Sequence, residues 1–268
     1  LFLFLQENFK TQILFKFLTM FTSPLEQFSV YKIIPITLGA IDFSFTNSSL
    51  LVLLSVLFML FGFNLIWANA LLVPTVWQNI LESLYEFIYY NVVSENIRKG
   101  GGSYFTVLFS VFYFILFCNL LGMVPYSFTV TSHIVITLGL ASTIFIGINY
   151  VGIRIHGLHM LSLFLPPGAP LALAPLLVFI ELVSYSFRVI SLSLRLFANM
   201  MSGHCLLKIL AGFAWAMFSS FSLLTVFHLV PLAVIFAIIG LELGIAFLQA
   251  YVFTLLLCVY LNDAISLH

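Results

Sequence analysis

Long stretches without charge constrain the fold of this chain more than any other feature. Only 7% of its 268 residues are charged and 63% are hydrophobic, whereas soluble domains carry about 25% charged residues. So few charges cannot cover the surface of a soluble domain of this size. We therefore expect an all-α polytopic membrane protein, with room for about five or six spans of roughly 20 residues.

The charge balance and the cysteines exclude several other classes of protein. Nine basic and nine acidic residues give a net charge of zero, so no basic field is present to bind nucleic acid. A disordered chain would need low hydrophobicity and high charge. The three cysteines lie singly in apolar runs, which argues against a disulfide framework or a zinc site, and we expect no cofactor.

The apolar stretches differ in length. Three are typical of single crossings, at about Ser49–Asn69, Tyr104–Val124 and His133–Gly152. The two that follow, about Pro170–Ser219 and Thr225–Leu261, each exceed 30 residues. At about 1.5 Å per residue each is ~50 Å or longer, so each must tilt, bend or extend past the bilayer.

The two long segments are consecutive, which favours an antiparallel hairpin over about 170–261 with its turn near 217–226. The chain then divides into an N-terminal extension or leader at 1–22, an extramembrane segment at 23–48 and a membrane domain at 49–268.

Val73–Ile97 differs in kind from the spans. Glu82 and Glu86 lie four residues apart and share one helical face among aromatic and aliphatic neighbours, which predicts an interfacial amphipathic helix. The basic residues Arg98, Lys99 and Arg154 fall in loops separated by two crossings, hence on one side of the membrane. The positive-inside rule makes that side the cytoplasm or the mitochondrial matrix, with the C-terminus on the same side.

Ionisable residues in apolar surroundings are costly and usually mark pathways or partners. The last third of the chain carries several: Glu181, Arg188, Arg195, His204, Lys208, His228 and Glu242. At about 100° per residue, one stripe of the first long helix holds Arg188, Ser191, Arg195 and Asn199. His204 lies about 180° from Arg195 on that helix, while Glu242 and Gln249 share a face of the next.

The hairpin register brings two of these groups together. If Arg195 is level with Gln249, residue 204 is level with about 240, so His204 lies beside Glu242. An imidazole and a carboxylate can each be charged or neutral near physiological pH, which makes the pair a candidate proton relay. The alternative is a core histidine with a purely structural role.

Arg195 cannot relay protons, because a guanidinium stays charged at any physiological pH. A permanent cation in mid-membrane needs an anion, and no carboxylate of this chain is well placed for it. We therefore expect the anion on another subunit. Reaching out to lipid headgroups suits Arg188 better than Arg195.

The runs SLRLFANMMSGH (193–204) and LELGIAFLQAYVFTLLLCVYLNDAI (241–265) resemble subunit a of F-type ATP synthases, most closely the mitochondrial form. Further segments agree, and the resemblance covers about residues 23–268: SPLEQF (23–28), FCNLLGMVPYSFTVTSH (117–133) and HGLHMLSLFLP (156–166).

The resemblance implies a non-catalytic stator subunit that provides two offset proton half-channels beside a rotating c-ring, coupling proton flow to ATP synthesis. It implies that Arg195 faces the ring carboxylate. The remaining path residues would be Asn199 and Gln249 beside Arg195, His204 and Glu242 on the intermembrane side, and Glu181 and Ser191 toward the other half-channel.

By the same resemblance, the partners are the c-ring and the peripheral-stalk subunits in the mitochondrial inner membrane, with cardiolipin a candidate lipid. Whether the ion is H⁺ or Na⁺ stays open, because selectivity lies largely on the ring carboxylate. Lys208 has no role to carry over. His156 and His159 are three residues apart in a loop and form a weak metal-site candidate beside the interpretation as interfacial loop histidines.

Two other classes of protein remain as alternatives. A transporter or ion channel acting alone would use Arg195 to bind an anionic substrate, and it predicts an internal carboxylate or a helix break nearby. A respiratory-chain membrane subunit would pump through several buried lysines, and Lys208 is the only mid-span lysine.

Overall fold

The computed structural model describes residues 24–38, 41–68, 74–97, 101–124, 127–164, 173–219 and 229–266. The expected N-terminal extension at 1–22 lies outside the described residues, as do Arg98, Lys99 and His228. Residues 220–226 of the expected hairpin turn near 217–226 also lie outside them.

Six α-helices dominate the described residues, which confirms the all-α prediction. They are α1 Asn47–Ala68, α2 Val76–Phe87, α3 Gly101–Gly122, α4 Ile134–His156, α5 Ala174–Ser219 and α6 Leu229–Ile265. All except α2 are long and apolar enough to cross a membrane. The 22 residues of α1 extend about 33 Å, which matches a hydrocarbon core of about 30 Å.

The last two helices are much longer than a perpendicular crossing needs. The 46 residues of α5 and the 37 of α6 extend roughly 70 Å and 55 Å. The two helices pack against each other, and α3 and α4 pack against them in turn. The structure therefore contains the predicted long hairpin, supported by two helices of ordinary length.

Short strands precede α1, which the sequence analysis did not predict. They form two antiparallel ladders, in which β1 (Lys32–Ile34) pairs with β4 (Phe45–Thr46) and β2 (Thr37–Leu38) pairs with β3 (Ile41–Asp42). Lys32 also forms a salt bridge with Asp42 across the ladders. Residues 29–47 thus fold back on themselves, and Tyr31 and Asn47 are joined by hydrogen bonds at the base.

Helix α2 is amphipathic, as predicted. The Thr75 side chain caps the start of the helix by accepting a hydrogen bond from the backbone N–H of Gln78. Glu82 and Glu86 are both exposed, while Leu81 on the other face packs against the core.

The helix then widens into a π-helical stretch, Ile88–Ser94, which was not predicted. The wider turn places Ile88, Val92 and Val93 in the core with almost no exposed surface.

The core lies where α3 and α4 pack on the hairpin. Its most buried side chains include Phe112 of α3, Leu196 of α5 and Phe253 of α6, all fully inaccessible to solvent. Ala246 and Ala250 are also fully buried on α6, because small side chains let helices approach closely where lipid gives little hydrophobic drive. Close packing of side chains therefore contributes most of the cohesion between the helices.

We predict that Phe253→Ala destabilises the protein by about 3 kcal/mol or more, because it opens a cavity among helices that cannot close over it. The matched control is Phe236→Ala on the same helix, since Phe236 is 69% exposed and its truncation leaves no internal cavity. Thermal unfolding of the purified protein in detergent checks this. Equal unfolding temperatures for the two variants would contradict the described core.

Candidate functional site

The predicted histidine–glutamate pair is present at the interface of α5 and α6. Nε2 of His204 lies 3.5 Å from Oε1 of Glu242. Glu242 is only 2% exposed, and neither of its carboxylate oxygens has a hydrogen-bond partner among the described residues. The geometric prediction of a contact is confirmed, and the two groups are within reach of each other without being locked by a direct hydrogen bond.

A polar contact between amides lies beside this pair. Nδ2 of Asn199 donates to Oε1 of Gln249 at 2.9 Å. Gln249 was predicted to lie level with Arg195, but it contacts Asn199, about one helical turn further along α5. The assumed register is therefore shifted by about one turn at this point, because the buried amide of Gln249 finds its hydrogen-bond partner in Asn199.

Gly203 makes room for the carboxylate of Glu242. A Cβ atom at position 203 would lie 2.7 Å from Oε1 of Glu242 and 3.1 Å from its Cδ. Both distances are shorter than an ordinary van der Waals contact. No role for Gly203 was predicted from the sequence. The available signal was a glycine inside a long helix directly before His204, where glycine costs about 1 kcal/mol relative to alanine.

Arg195 lies on the opposite face of α5. The helix is regular between 195 and 204, so the predicted rotation of about 180° between Arg195 and His204 holds. Arg195 and Ser191 are both exposed. Arg195 forms no ion pair with any residue in the described part of the chain, so it presents an uncompensated positive charge on the outer surface of the hairpin.

Arg188 is paired inside the chain, so the expectation that it extends to lipid headgroups is wrong. Its guanidinium lies 3.4 Å from Oε1 of Glu181 and 3.7 Å from Oδ2 of Asp263. The rings of Tyr185 and Tyr260 each flank the guanidinium at 5.5 Å. Two carboxylates and two aromatic faces satisfy this cation.

Asp263 was missed by sequence reasoning. In an antiparallel hairpin the end of α6 returns to the beginning of α5, so the hairpin register alone was enough to bring Asp263 near Glu181 and Arg188. The three residues form a half-buried charged cluster at the end of the hairpin away from His204.

The two loop histidines do not come together as metal ligands. Nε2 of His156 hydrogen-bonds the carbonyl oxygen of Ile265 at 2.9 Å, while His159 is exposed in the following 3₁₀ segment. Within the described ranges, no group of three or more histidine, cysteine or acidic side chains could hold a metal ion. The hydrogen bond of His156 instead ties the end of α4 to the end of α6.

We predict that Gly203→Ala lowers the unfolding temperature of the protein, although alanine normally stabilises a helix by up to about 1 kcal/mol. The reason is the clash of the new Cβ with Glu242. Gly212→Ala on the same helix is the control, because a Cβ there has no atom within 4 Å, and it should raise the unfolding temperature. Stabilisation of the protein by both variants would show that Glu242 does not lie against position 203.

Comparison with known proteins assigns this arrangement to a family. The family model described as ATP synthase A chain matches residues 48–262. The chain is 54% identical to ATP synthase subunit a of Chondrus crispus over 247 residues, which is 92% of this chain and 97% of that protein. It is also 54% identical to ATP synthase subunit a of Marchantia polymorpha over 254 residues, covering 93% of this chain and all of that protein. By its sequence, its helices and its buried charges, the chain belongs to the ATP synthase subunit a family, the proton-translocating subunits of the membrane sector.

Proposed function

We propose that this chain provides two offset half-channels that carry protons to and from carboxylates on a c-ring, with Arg195 as the charge that separates them. The observation that carries the proposal is the contrast between the two arginines of α5. Arg188 has two carboxylates within 4 Å, whereas Arg195 is exposed and has none in the described part of the chain.

The unpaired positive charge of Arg195 indicates that its partner is an anion. A cation held in apolar surroundings is stable only opposite an anion. A ring carboxylate that faces lipid is protonated, since a charge there is costly, and it ionises when it comes to face a guanidinium. Arg195 therefore favours loss of the proton from each passing ring carboxylate into a half-channel, and its own guanidinium stays protonated throughout.

The same charge acts as a barrier. A fixed positive charge between two aqueous pathways repels a proton that would pass directly from one to the other. Each proton must then bind a ring carboxylate and travel with the ring. One elementary charge crossing the membrane releases about 2.3 kcal/mol per 100 mV, and the offset between the half-channels converts this into rotation.

His204 and Glu242 form the relay of one half-channel. Their 3.5 Å separation allows proton transfer directly or through one water molecule. Asn199 and Gln249 continue the polar path along the hairpin from this pair.

The second half-channel begins at the charged cluster near the other end of the hairpin. Glu181 is half-buried and lies beside Arg188, and Ser191 is exposed between this cluster and Arg195. Two groups of polar residues therefore flank Arg195, one on each side along α5. This arrangement supports separate pathways to the two membrane surfaces.

The chain works within the complex as a non-catalytic stator subunit, beside the c-ring and the peripheral stalk, in the mitochondrial inner membrane. The five candidate spans and the basic residues Arg98, Lys99 and Arg154 support an orientation with the C-terminus toward the matrix. In this orientation the His204 end of α5 faces the intermembrane space and the Glu181 end faces the matrix.

We predict that Arg195→Ala abolishes proton-driven ATP synthesis while the complex still assembles, because the variant removes the charge and disturbs no internal contact. Arg195→Lys should fail as well, since a compact, strongly hydrated ammonium does not replace the planar guanidinium. Arg154→Ala, which removes an exposed arginine in the last turn of α4, is the control. Synthesis near the unmodified rate in Arg195→Ala vesicles would refute the role of this charge.

We predict that Glu242→Gln slows proton-driven ATP synthesis about 10²-fold or more, the usual contribution of a proton-transferring group. Proton leak should not rise, because the barrier at Arg195 remains. Glu86→Gln on the exposed face of α2 is the control. Synthesis rates and passive leak measured in the same vesicles test both parts, and a rise in leak would place Glu242 outside the path.

A further inference from the structure

Several buried polar atoms outside the hairpin have no hydrogen-bond partner among the described residues. They belong to segments far apart in the sequence, and we name them together the inlet cluster: Nε2 of Gln27, Oδ1 of Asn119, Oγ1 of Thr131 and Nε2 of His133. Buried polar groups are almost always hydrogen-bonded, to protein or to ordered water. We therefore expect each of these atoms to form a hydrogen bond with a buried water molecule.

The inlet cluster is continuous with the relay pair. The ring of Phe28, next to Gln27, packs edge-on against the imidazole of His204 with centroids 6.5 Å apart. Nδ2 of Asn119 donates to the carbonyl of Ala246 at 3.3 Å, one turn along α6 from Glu242. The inlet cluster is thus joined to the surroundings of the pair through Phe28 on the His204 side and through Ala246 on the Glu242 side.

His133 is held in a defined orientation. The backbone of Phe28 hydrogen-bonds its imidazole, and since Nε2 has no partner, Nδ1 is the donor. Phe128 stacks on the ring at 4.9 Å. Burial lowers the pKa of His133, although the bond to Phe28 acts in the opposite direction. The neutral ring therefore offers an unshared pair at Nε2 to a water proton.

The elements that carry the inlet cluster meet on one side of the membrane in the proposed orientation. Gln27 lies in the 3₁₀ segment Pro24–Phe28 before α1, while Thr131 and His133 lie between α3 and α4. Two crossings separate these two segments, and two more lead to the loop after α5. All three therefore face the intermembrane space, where a proton would enter.

We propose that the inlet cluster is a buried water site that forms the outer part of the intermembrane half-channel, with Thr131 and His133 as lining residues that pass protons to His204 and Glu242. This inference rests on the proposed function of the chain. Phe28 positions the site, because its carbonyl holds His133 and its ring covers His204.

A structural role of Thr131 can be separated from a role in proton passage. Thr131 is 5% exposed, and its hydroxyl has no hydrogen-bond partner in the described part of the chain. Valine has nearly the same shape, so Thr131→Val removes no internal hydrogen bond, and a residue needed only for packing would tolerate it. A hydroxyl that holds a water molecule of the path would not.

The test is passive proton flux through the assembled membrane sector, in vesicles stripped of the catalytic head and driven by a potassium diffusion potential. Thr131→Val should lower the flux about fivefold, the effect of one lost hydrogen bond on a rate, with an unchanged amount of assembled complex. Thr254→Val is the control, because Thr254 is equally buried and its hydroxyl bonds the carbonyls of its own helix. Its flux should be unchanged.

His133→Gln is the second variant. The side-chain amide of the introduced glutamine can still donate to the carbonyl of Phe28. It has no basic nitrogen to accept a proton, so the proton flux should also fall. Unmodified flux in both variants, or loss of assembled complex in Thr131→Val, overturns the inlet cluster as part of the path. Glu242→Gln measured alongside separates the two proposals: if its flux falls while the inlet variants are normal, only the cluster is wrong, and if its flux is normal, the proposed relay itself fails.

Discussion

An unpaired guanidinium in an apolar segment is costly. No acidic residue in the described part of the chain forms an ion pair with Arg195. The other ionisable groups of the hairpin show how such charges are normally accommodated. Arg188 lies between Glu181 and Asp263, and Glu242 is buried against His204. Arg195 alone among these cations faces outward. We therefore infer that the subunit is electrostatically incomplete and that its proposed function depends on an anion that a neighbouring subunit brings to this face.

The packing of α3 and α4 on the hairpin leaves the face that carries Arg195 uncovered by the described part of the chain. Helices α3 and α4 cover one side of it, where Phe112, Leu196 and Phe253 are fully buried. Gly203 admits the carboxylate of Glu242 into the interface of α5 and α6, so the relay lies inside while the arginine lies outside. A regular helix of 46 residues keeps these positions about half a turn apart. In the proposed function, this separation of the His204–Glu242 pair from Arg195 is what allows two pathways without a direct connection.

The membrane spans and the contact of His204 with Glu242 could be predicted from the sequence, whereas several contacts between distant segments could not. The span expected at Ser49–Asn69 is observed at Asn47–Ala68, since bilayer thickness dictates its length. The contact of His204 with Glu242 followed from helical periodicity and chain reversal. The π-helical turn at Ile88–Ser94 and the contact of Phe28 with His204 depend on side chains that meet only after folding. No local pattern in the sequence encodes them.

The most direct test of the central claim is a structure of the assembled enzyme by electron cryomicroscopy, in which the distance from the Arg195 guanidinium to the nearest carboxylate is measured. The account predicts a carboxylate of another subunit, on the rotating ring, within roughly 7 Å, the reach of one bridging water molecule. An Arg195 that pairs with a carboxylate of its own chain, or that faces lipid with no ring carboxylate within that distance, would contradict it.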